Sequence, residues 1–561
     1  MDGSISIEPS GASPDLSRCP RARLCDLSDL IFPAAEINCQ KGAIMPGIDR
    51  RRFLAGAGSA VAALGTGFAQ PLNGLAATPD ARQADAQAAV MPALPAKPII
   101  GIQTDAISFL DEGTEKVLDI LQEKAGVNAL FMGTFSYGTG ITGRQMQGHP
   151  FPDHGVQQDQ DFSKGHGGDY ATPHLQYYKD TALKPVKAPD YGNVDCLELV
   201  IPAAKKRGMK VYAWSEDLFG SSIPGIEKFQ ERDLYGRNAQ TVCFNNPDTH
   251  KFWLALQEDL VRSYDIDGIM WGSERYGAFG NMVESVHNRN GNDPAHVTCF
   301  CSFCQAKAKS RGVDVERAFA GFHELEKWVK ACHAGVRPND GYYVTLWRIL
   351  FRYPEILAWE TMWNDSVHET YEAIYKQTKS IRPEVQVGWH VWHALSFSAF
   401  FRAQTDLAKI AAYSDYMKIT VYNNLGGTRM ETYVTSAAKT IYGDVPIDEA
   451  LQFEYRVMNL RERGYAELPY TGLSADYVYR ETKRAVEDVK GTKAQIWPGL
   501  DVDIANVDLQ FSRSSPPVVN ECTKACFRAG GQGLVISRKY SEMKLANLAA
   551  VGDALREMGI V

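Results

Sequence analysis

The chain has 561 residues, of which 45% are hydrophobic and 22% are charged, proportions that are ordinary for a globular protein. Its net charge of -8 provides no overall basic field and argues against wholesale nucleic-acid binding. The length exceeds that of one small domain but suits a single α/β barrel with insertions, since such barrels often use about 250 residues or more.

The N-terminal part carries an export pattern. In "DRRRFLAGAGSAVAALGTGFA", Arg50 and Arg51 precede Phe53 and a weakly apolar stretch rich in Gly and Ala. This order is typical of a twin-arginine signal peptide, and the alternative is a short amphipathic helix. We predict a disordered or untranslated segment, a twin-arginine signal peptide and a linker at residues 1–44, 45–77 and 78–97, respectively.

The predicted signal assigns the mature protein to the periplasm or the exterior of the cell, with the twin-arginine export machinery as a partner. No later stretch of the sequence is apolar for long enough to span a bilayer. We therefore expect no membrane anchoring in the mature form.

From residue 98 to the end, eight β-rich apolar runs alternate with helical stretches. The runs occupy residues 98–106, 127–135, 209–219, 266–274, 385–393, 413–424, 494–503 and 531–540. Several are nearly continuously apolar, as expected when both faces of a parallel strand are covered. A doubly wound sheet would usually show a Gly-rich loop after its first strand, which "GIQTDAISF" lacks. We therefore predict a (β/α)₈ TIM barrel over residues 98–561.

Two connections of the predicted barrel are long. Residues 278–384 separate strands four and five, and residues 425–490 separate strands six and seven. Loops that follow barrel strands build the active face of this fold. The two insertions are therefore expected to shape a cleft.

A compact cysteine cluster lies in the first insertion. Cys299, Cys301 and Cys304 form "CFCSFC", whose C-x-C-x-x-C spacing suits a single tetrahedral ion better than disulfides among the three. We predict a structural zinc ion. The alternative is one disulfide with a spare thiol, which an oxidising compartment permits. The candidates for the fourth zinc ligand are Cys243, Cys332, His296 and His287.

Polar and charged side chains follow each predicted strand. They are Asp105, Thr134 with Tyr137, Glu216 with Asp217, Glu274 with Arg275, His390 with His393, Tyr422 with Asn423 and Asn424, Asp501 with Asp503, and Ser537 with Arg538. Catalytic groups in this fold lie at strand ends. Paired carboxylates suit glycoside hydrolysis, in which one acid protonates the leaving oxygen and the other attacks or activates water.

The segment Ser273-Glu274-Arg275-Tyr276-Gly277 resembles the end of strand four in barrel glycosidases. The closest resemblance is to the zinc-containing β-galactosidases of glycoside hydrolase family 42, in which an Asn-Glu-Tyr-Gly-like segment is followed by a C-x-C-x-x-C cluster. The resemblance implies that Glu274 is the general acid/base and that Cys243, in "CFNNP", is the fourth zinc ligand. Ser273 stands where that family has Asn.

The leading hypothesis is an exported glycoside hydrolase that acts on a carbohydrate substrate. Its predicted catalytic residues are Glu274, Asp501 as the first choice of nucleophile or base, and Asp105. Apolar surroundings are expected to raise the pKa of Glu274. The predicted substrate-binding residues are Glu216, Asp217, Arg275, His390, His393, Tyr422, Asn423 and Arg538.

Two alternatives remain. One is a sialidase-like or lyase-type barrel enzyme that acts on acidic sugars, in which Asp105 or a histidine leads and Arg275, Arg429 and Arg538 bind a carboxylate. The other is a non-catalytic carbohydrate-binding barrel. A lone acid beside an arginine cluster favours the first alternative.

Overall fold

A computed structural model describes residues 95–136, 154, 167–218, 223–284, 293–503 and 514–561, with the backbone of 505–506 and 511–512. The predicted signal peptide, the segment before it and the linker up to residue 94 lie outside the described residues. Tyr137 and His287, two candidates from the sequence, lie outside them as well.

Eight parallel strands form the central sheet. They are β1 (Ile99–Thr104), β2 (Ala129–Ser136), β3 (Lys210–Ser215), β4 (Gly268–Trp271), β5 (Gln386–Val391), β6 (Tyr416–Ile419), β7 in two pieces (Gln495–Ile496 and Gly499–Asp501) and β8 (Gly533–Ser537). Each of the eight predicted runs coincides with one of these strands, although β2 continues one residue past its run, to Ser136.

The sheet closes on itself through β7. Strands β1 to β6 pair in chain order, and β1 also pairs with β8. The first piece of β7 pairs with β6, and the second piece pairs with β8. Pro498, which has no N–H to donate, separates the two pieces. This closed, parallel order is the predicted (β/α)₈ barrel.

Helices cover the outside of the barrel and build the two predicted insertions. Those that follow strands are α1 (Ala106–Glu112), α2 (Thr114–Ala125), α3 (Cys196–Lys206), α4 (Pro247–Ser263), α9 (Glu355–Ile381), α10 (Ala399–Gln404), α11 (Leu407–Ala411), α15 (Ala475–Asp488), α16 (Pro516–Arg528) and α17 (Leu545–Glu557). The insertion after β4 contains α5 (Ala278–Glu284), α6 (Ser302–Ser310), α7 (Val315–His333) and α8 (Tyr342–Arg352). The insertion after β6 contains α12 (Asn423–Ala437), α13 (Ile447–Val457) and α14 (Leu468–Thr471).

Short elements complete the described chain. The two-residue strand Gly168–Asp169 pairs antiparallel with β2, Gln230–Arg232 pairs with Asn238–Val242, and Ala505–Asn506 pairs with Phe511–Ser512. Single 3-10 turns lie at Leu175–Tyr178, Pro189–Tyr191, Ile226–Lys228, His393–Ser396 and Tyr540–Glu542. Among the described helices, none combines the length and the apolar character needed to cross a membrane.

The lower part of the barrel interior is filled by aromatic rings. Phe131, Tyr212, Tyr416 and Trp497 are fully buried, and the Tyr416 and Trp497 rings stack with centroids 3.9 Å apart. Glycines on neighbouring strands make room for these rings. At Gly388, an added Cβ would overlap the ring of Tyr416. This packed floor leaves the carboxyl ends of the strands as the part of the interior that can hold a ligand.

Candidate functional site

Charged side chains from four strand ends, from within β6 and from one insertion helix meet above the aromatic floor. A buried lysine in β6, Lys418, lies within electrostatic reach of Glu274, Arg538, Glu216 and Asp501. Because parallel strands end at the same rim, residues far apart in sequence are brought together here. The structure therefore places Glu216, Glu274, Asp501 and Arg538 from the predicted set around one point.

The space above the aromatic floor at the carboxyl ends of the strands, around Lys418, is called the mouth below. Glu274 lies three residues beyond β4 and faces this space. Its Oε1 is 2.9 Å from His390 Nε2 on β5. The Glu274 side chain is 31% exposed and that of His390 is 8% exposed. A carboxylate that is held by a buried partner and still reaches solvent is able to meet a substrate.

Lys418 holds the other side of the His390 ring. Its Nζ lies 3.1 Å from His390 Nδ1, 3.0 Å from Gln103 Oε1 and 3.1 Å from Tyr422 OH. Burial lowers the pKa of Lys418 to about 7. Burial also raises the pKa of Tyr422, whose hydroxyl faces the same ammonium group.

The contacts of Lys418 determine the tautomer of His390. An ammonium group has only donors, so a charged Lys418 requires His390 Nδ1 to accept. The proton of the neutral ring then sits on Nε2, which donates to Glu274. Burial and the charge of Lys418 lower the pKa of His390, a shift that favours the neutral ring, while Glu274 opposes it. The result is a directed chain of hydrogen bonds from Lys418 through His390 to Glu274.

Sequence reasoning missed Lys418 and Gln103. Both lie inside apolar runs, in "YMKITVY" and "IIGIQT", and neither is at a strand end. The available signal was the lysine itself, because a charged residue within a buried parallel strand is rare without a functional or structural reason.

Two arginines complete the mouth. Arg429, on α12, donates from Nη1 to His393, at 2.7 Å from Nε2 and 3.2 Å from Nδ1. Burial lowers the pKa of Arg429 to about 10, and the like charge of Arg538 acts in the same direction. His393 is 1% exposed, and its ring also lies against those of Phe397 and Tyr422.

Asp501, the first choice for nucleophile or base, lies at the mouth with both oxygens engaged. Oδ1 accepts from the Asn424 N–H at 3.0 Å, and Oδ2 accepts from the Leu425 N–H at 2.7 Å. It is 1% exposed, and burial raises its pKa to about 7 against the opposing effect of these two bonds. Asp501 therefore caps the first turn of α12. Its catalytic role stays a prediction.

Asp105 occupies a similar position at the end of β1. It is fully buried, and its Oδ1 accepts from the backbone N–H and the hydroxyl of Ser108 in α1. Its Oδ2 accepts from Ser541 Oγ at 3.1 Å. Burial raises its pKa. The structure thus uses Asp105 as the cap of α1, and its predicted catalytic role is likewise untested.

Asp217 and Arg275 pair with each other. Arg275 Nε lies 2.5 Å from Asp217 Oδ2, and Arg275 Nη1 lies 3.1 Å from Glu231 Oε2. The guanidinium also packs over the Phe244 ring, 4.3 Å from its centroid. Arg275 is thus held by Asp217 and Glu231, whereas the neighbouring Glu274 contacts His390.

Aromatic side chains border the mouth beside Glu274. Tyr276 stacks on Phe401 with centroids 3.8 Å apart and lies 5.5 Å from Trp392. Tyr422 and Asn423 are 4% and 5% exposed, so a substrate meets little of either side chain. The predicted contacts of these two residues with substrate stay predictions.

The cysteine cluster is compact and buried. The Sγ atoms of Cys243, Cys299, Cys301 and Cys304 lie within 4.8 Å of one another, and Cys243 Sγ is 3.6 Å from Cys304 Sγ and 3.4 Å from Cys301 Sγ. Tetrahedral zinc with Zn–S bonds of about 2.3 Å requires sulfurs about 3.8 Å apart, so the four thiols fit a metal ion. The disulfide alternative is wrong for the described cysteines, since all of them are free. Of the other candidate ligands, His296 instead contacts Asp233 at 2.6 Å.

No protein family and no curated protein matches the sequence. The chain is similar to α-L-fucosidase isoenzyme 2 from Paenibacillus thiaminolyticus, with 12% identity, a TM-score of 0.43 and coverage of 82% of this chain and 49% of that chain. It is also similar to the β-galactosidase of the psychrophilic Marinomonas ef1, with 10% identity, a TM-score of 0.43 and coverage of 82% and 61%. For the β-galactosidase of Bacillus circulans sp. alkalophilus the values are 13%, 0.41, 83% and 57%. The chain thus spans between 49% and 61% of the length of these glycosidases, and likenesses at this level say nothing of its own substrate.

Proposed function

We propose that this chain is a glycoside hydrolase in which Glu274 transfers the proton to the leaving glycosidic oxygen. The observation that carries the proposal is the placement of Glu274 at the end of β4, solvent-accessible and hydrogen-bonded through one oxygen to the buried His390. His390 holds Glu274 through Oε1. A proton donor must lie within hydrogen-bond reach of the oxygen that leaves, and a fixed carboxyl at the mouth meets this need.

The second carboxyl group of the reaction is assigned to Glu216 or Asp501. Glu216 follows β3, is half-buried and lies 3.5 Å from Ser136 Oγ through Oε2. Asp501 is closer to full burial and accepts two backbone hydrogen bonds. A nucleophile or base needs access to the anomeric carbon or to a water beside it. Accessibility therefore ranks Glu216 first and Asp501 second.

The cysteine cluster is assigned a structural zinc ion with no part in the chemistry. Four thiolates fill a tetrahedral site, which leaves no open position for a water or a substrate. Cys243 lies just before α4, and the other three ligands lie where α6 begins. The ion would therefore tie the insertion after β4 to the body of the barrel, and Glu274 lies at the start of that insertion.

The order Arg50-Arg51-Phe53 followed by a Gly/Ala-rich stretch supports export through the twin-arginine machinery to the periplasm or beyond. Changing both Arg50 and Arg51 to Lys is expected to abolish accumulation of mature protein in the periplasm, as followed by fractionation and immunoblotting. Undiminished periplasmic protein in the double variant would refute the assignment.

Glu274→Gln tests the catalytic proposal. The variant is expected to fold, because Gln retains the size of Glu and can accept from His390. Turnover of alkyl glycosides should fall by roughly 10²–10⁴, the range for loss of a general acid. Aryl glycosides with strongly acidic leaving groups should lose much less, since they need little protonation.

Comparison of Glu216→Ala with Asp501→Ala then identifies the partner. Added azide should restore turnover of activated substrates in the variant that lacks a nucleophile, because a small anion can take the place of the missing carboxylate. Wild-type rates for Glu274→Gln on every substrate that the unmodified enzyme cleaves would contradict the proposed function.

A further inference from the structure

Arg429 and Arg538 differ from Arg275 and Arg402, which form ion pairs with acids. Arg275 pairs with Asp217 and Glu231, and Arg402 Nη2 lies 2.6 Å from Glu481 Oε1. Across the part of the chain that the structure describes, neither Arg429 nor Arg538 forms an ion pair with Asp or Glu. Both guanidinium groups therefore keep donors available for an anion.

The contact that Arg429 makes is with a neutral group. Its Nη1 donates to a ring nitrogen of His393, and a ring nitrogen that accepts a hydrogen bond carries no proton. Burial, then the like charge of Arg538, lowers the pKa of Arg429, while Glu274 and Asp501 oppose the shift. A half-buried cation near a second cation is stabilised when it binds an anion.

Arg538 is held at the mouth by an unusual backbone. Its φ is 65°, in the left-handed region that residues with a Cβ seldom occupy. Among the described residues, Asn459 is the other non-glycine with a positive φ. Backbones of this kind persist where surrounding structure enforces them and cluster at ligand sites. Arg538 directly follows β8, and it lies within electrostatic reach of Tyr422 and Asp501 at this end of the barrel.

Cations and acids at the mouth are equal in number. Lys418, Arg429 and Arg538 supply the cations, and Glu216, Glu274 and Asp501 supply the acids. Burial brings the pKa of both Asp501 and Lys418 to about 7, so near neutral pH their charges offset each other. The remaining positive charge lies on the arginine side, whereas Glu274 and Glu216 are assigned to the reacting bond.

We propose that Arg429 and Arg538 bind a carboxylate carried by the sugar, so that the substrate class is a glycan containing uronic acid. The inference rests on the proposed function for its choice of a sugar. A planar guanidinium presents paired N–H donors that match the two oxygens of a carboxylate. The two arginines would thereby orient the ring so that its glycosidic oxygen meets Glu274.

Binding is measured by calorimetry on the mature chain at neutral pH. The ligands are methyl galacturonide and methyl glucuronide, each compared with the neutral methyl galactoside or methyl glucoside of the same anomeric form. Galactose 6-sulfate reports on a different anion. The variants are Arg429→Met, Arg538→Met and their lysine counterparts. The matched control is Arg348→Met, which removes an arginine paired with Asp340 on the exposed surface of α8.

The uronides should bind the unmodified chain, and each Met variant should weaken this binding about 10- to 150-fold, the equivalent of one lost charged hydrogen bond. The Lys variants should recover part of the affinity, and Arg348→Met should bind like the unmodified chain. Thermal unfolding midpoints check that each variant is folded; if Arg538→Met fails to fold, Arg429→Met and Arg538→Lys carry the test.

Equal affinity for the uronide and its neutral counterpart, preference for the sulfate, or no binding of uronide would each overturn the inference. Hydrolysis of nitrophenyl uronides and nitrophenyl glycosides separates the inference from the proposed function. If uronide binding depends on the two arginines but no glycoside is hydrolysed, carboxylate binding is supported and the proposed hydrolase activity is refuted. If neutral glycosides are hydrolysed and the Met variants hydrolyse them equally well, the hydrolase activity is supported and the carboxylate-binding inference is refuted.

Discussion

Replacing Lys418 with methionine removes a cation that the barrel shields from solvent. The side chain is fully buried, and its Nζ contacts Gln103, His390 and Tyr422 at 3.0–3.1 Å. Burial lowers its pKa from an ordinary 10.5 to about 7. Methionine is close to lysine in length and lacks the charge, so the change tests the cost of the ammonium group with little change in volume.

The sign of the pH dependence follows from the two pKa values. Between pH 7 and pH 10.5, the unfolded chain keeps the Lys418 proton and the folded chain loses it. The free energy of unfolding therefore rises with pH across this window, and the full penalty of the buried charge is present below pH 7. The shift of 3.5 units (10.5 − 7) corresponds to a penalty of about 5 kcal/mol at 1.36 kcal/mol per unit.

Urea unfolding of the unmodified chain and of Lys418→Met at several pH values measures this term. The difference in unfolding free energy between the two should change by about 4 kcal/mol from pH 7 to pH 10 in favour of the unmodified chain. The hydrogen bonds lost to Gln103 and Tyr422 add an offset without the same slope. Lys116→Met, on the exposed side of α2, is the matched control and should give a parallel curve. A parallel curve for Lys418→Met would refute the placement of a neutralised lysine at the mouth.

Two further predictions concern the metal cluster and the barrel floor. Cys304→Ser should lower bound zinc from about one ion per chain, as elemental analysis measures it, and lower the thermal midpoint while Cys526→Ser leaves the zinc content unchanged; equal zinc in both variants would contradict the four-cysteine site. Gly388→Ala should destabilise the fold by about 1–3 kcal/mol in urea unfolding, because the added methyl overlaps the Tyr416 ring; an unchanged midpoint would show that this ring is able to move aside.

The barrel could be predicted because its strands are parallel and covered on both faces. Such strands are short apolar runs that stand out from the amphipathic helices between them. Their ends were less certain, as β4 shows: the predicted run extends to Glu274, whereas the strand ends at Trp271. The residues between the end of β4 and Glu274 form an irregular segment that leads into the mouth. The position of Glu274 thus followed from the fold class, while its contact with His390 required the register of β4 against β5.

The interior partners could not be predicted in the same way. Lys418 and Gln103 approach each other from strands 315 residues apart in sequence, and although a lysine in an apolar run is itself unusual, nothing local indicates that Gln103 is its partner. The orientation of Arg275 depends on Asp217 and Glu231, which lie outside the mouth. Side chains of this kind become interpretable only when the closure of the barrel fixes which strands face one another.

Several of the strand-end acids accept hydrogen bonds from the first N–H groups of helices, and the others do not. Every helix has N–H groups in its first turn without partners inside the helix, and a carboxylate satisfies them well. Asp105 serves α1, Asp501 serves α12, and Asp503 Oδ2 accepts from the Lys544 N–H, just before α17.

The first turn of α12 is capped by a residue from another strand. Its N-cap residue is Tyr422, whose side chain makes no capping bond, so the buried start of this helix needs an acceptor from elsewhere. Asp501 supplies it from the next strand. Asp217, in turn, pairs with Arg275. When the acids that cap helices or pair with Arg275 are set aside, the strand-end carboxylates left for chemistry are Glu216 and Glu274. Because these two follow adjacent strands and both reach solvent, we infer that they are the pair to which a substrate has access.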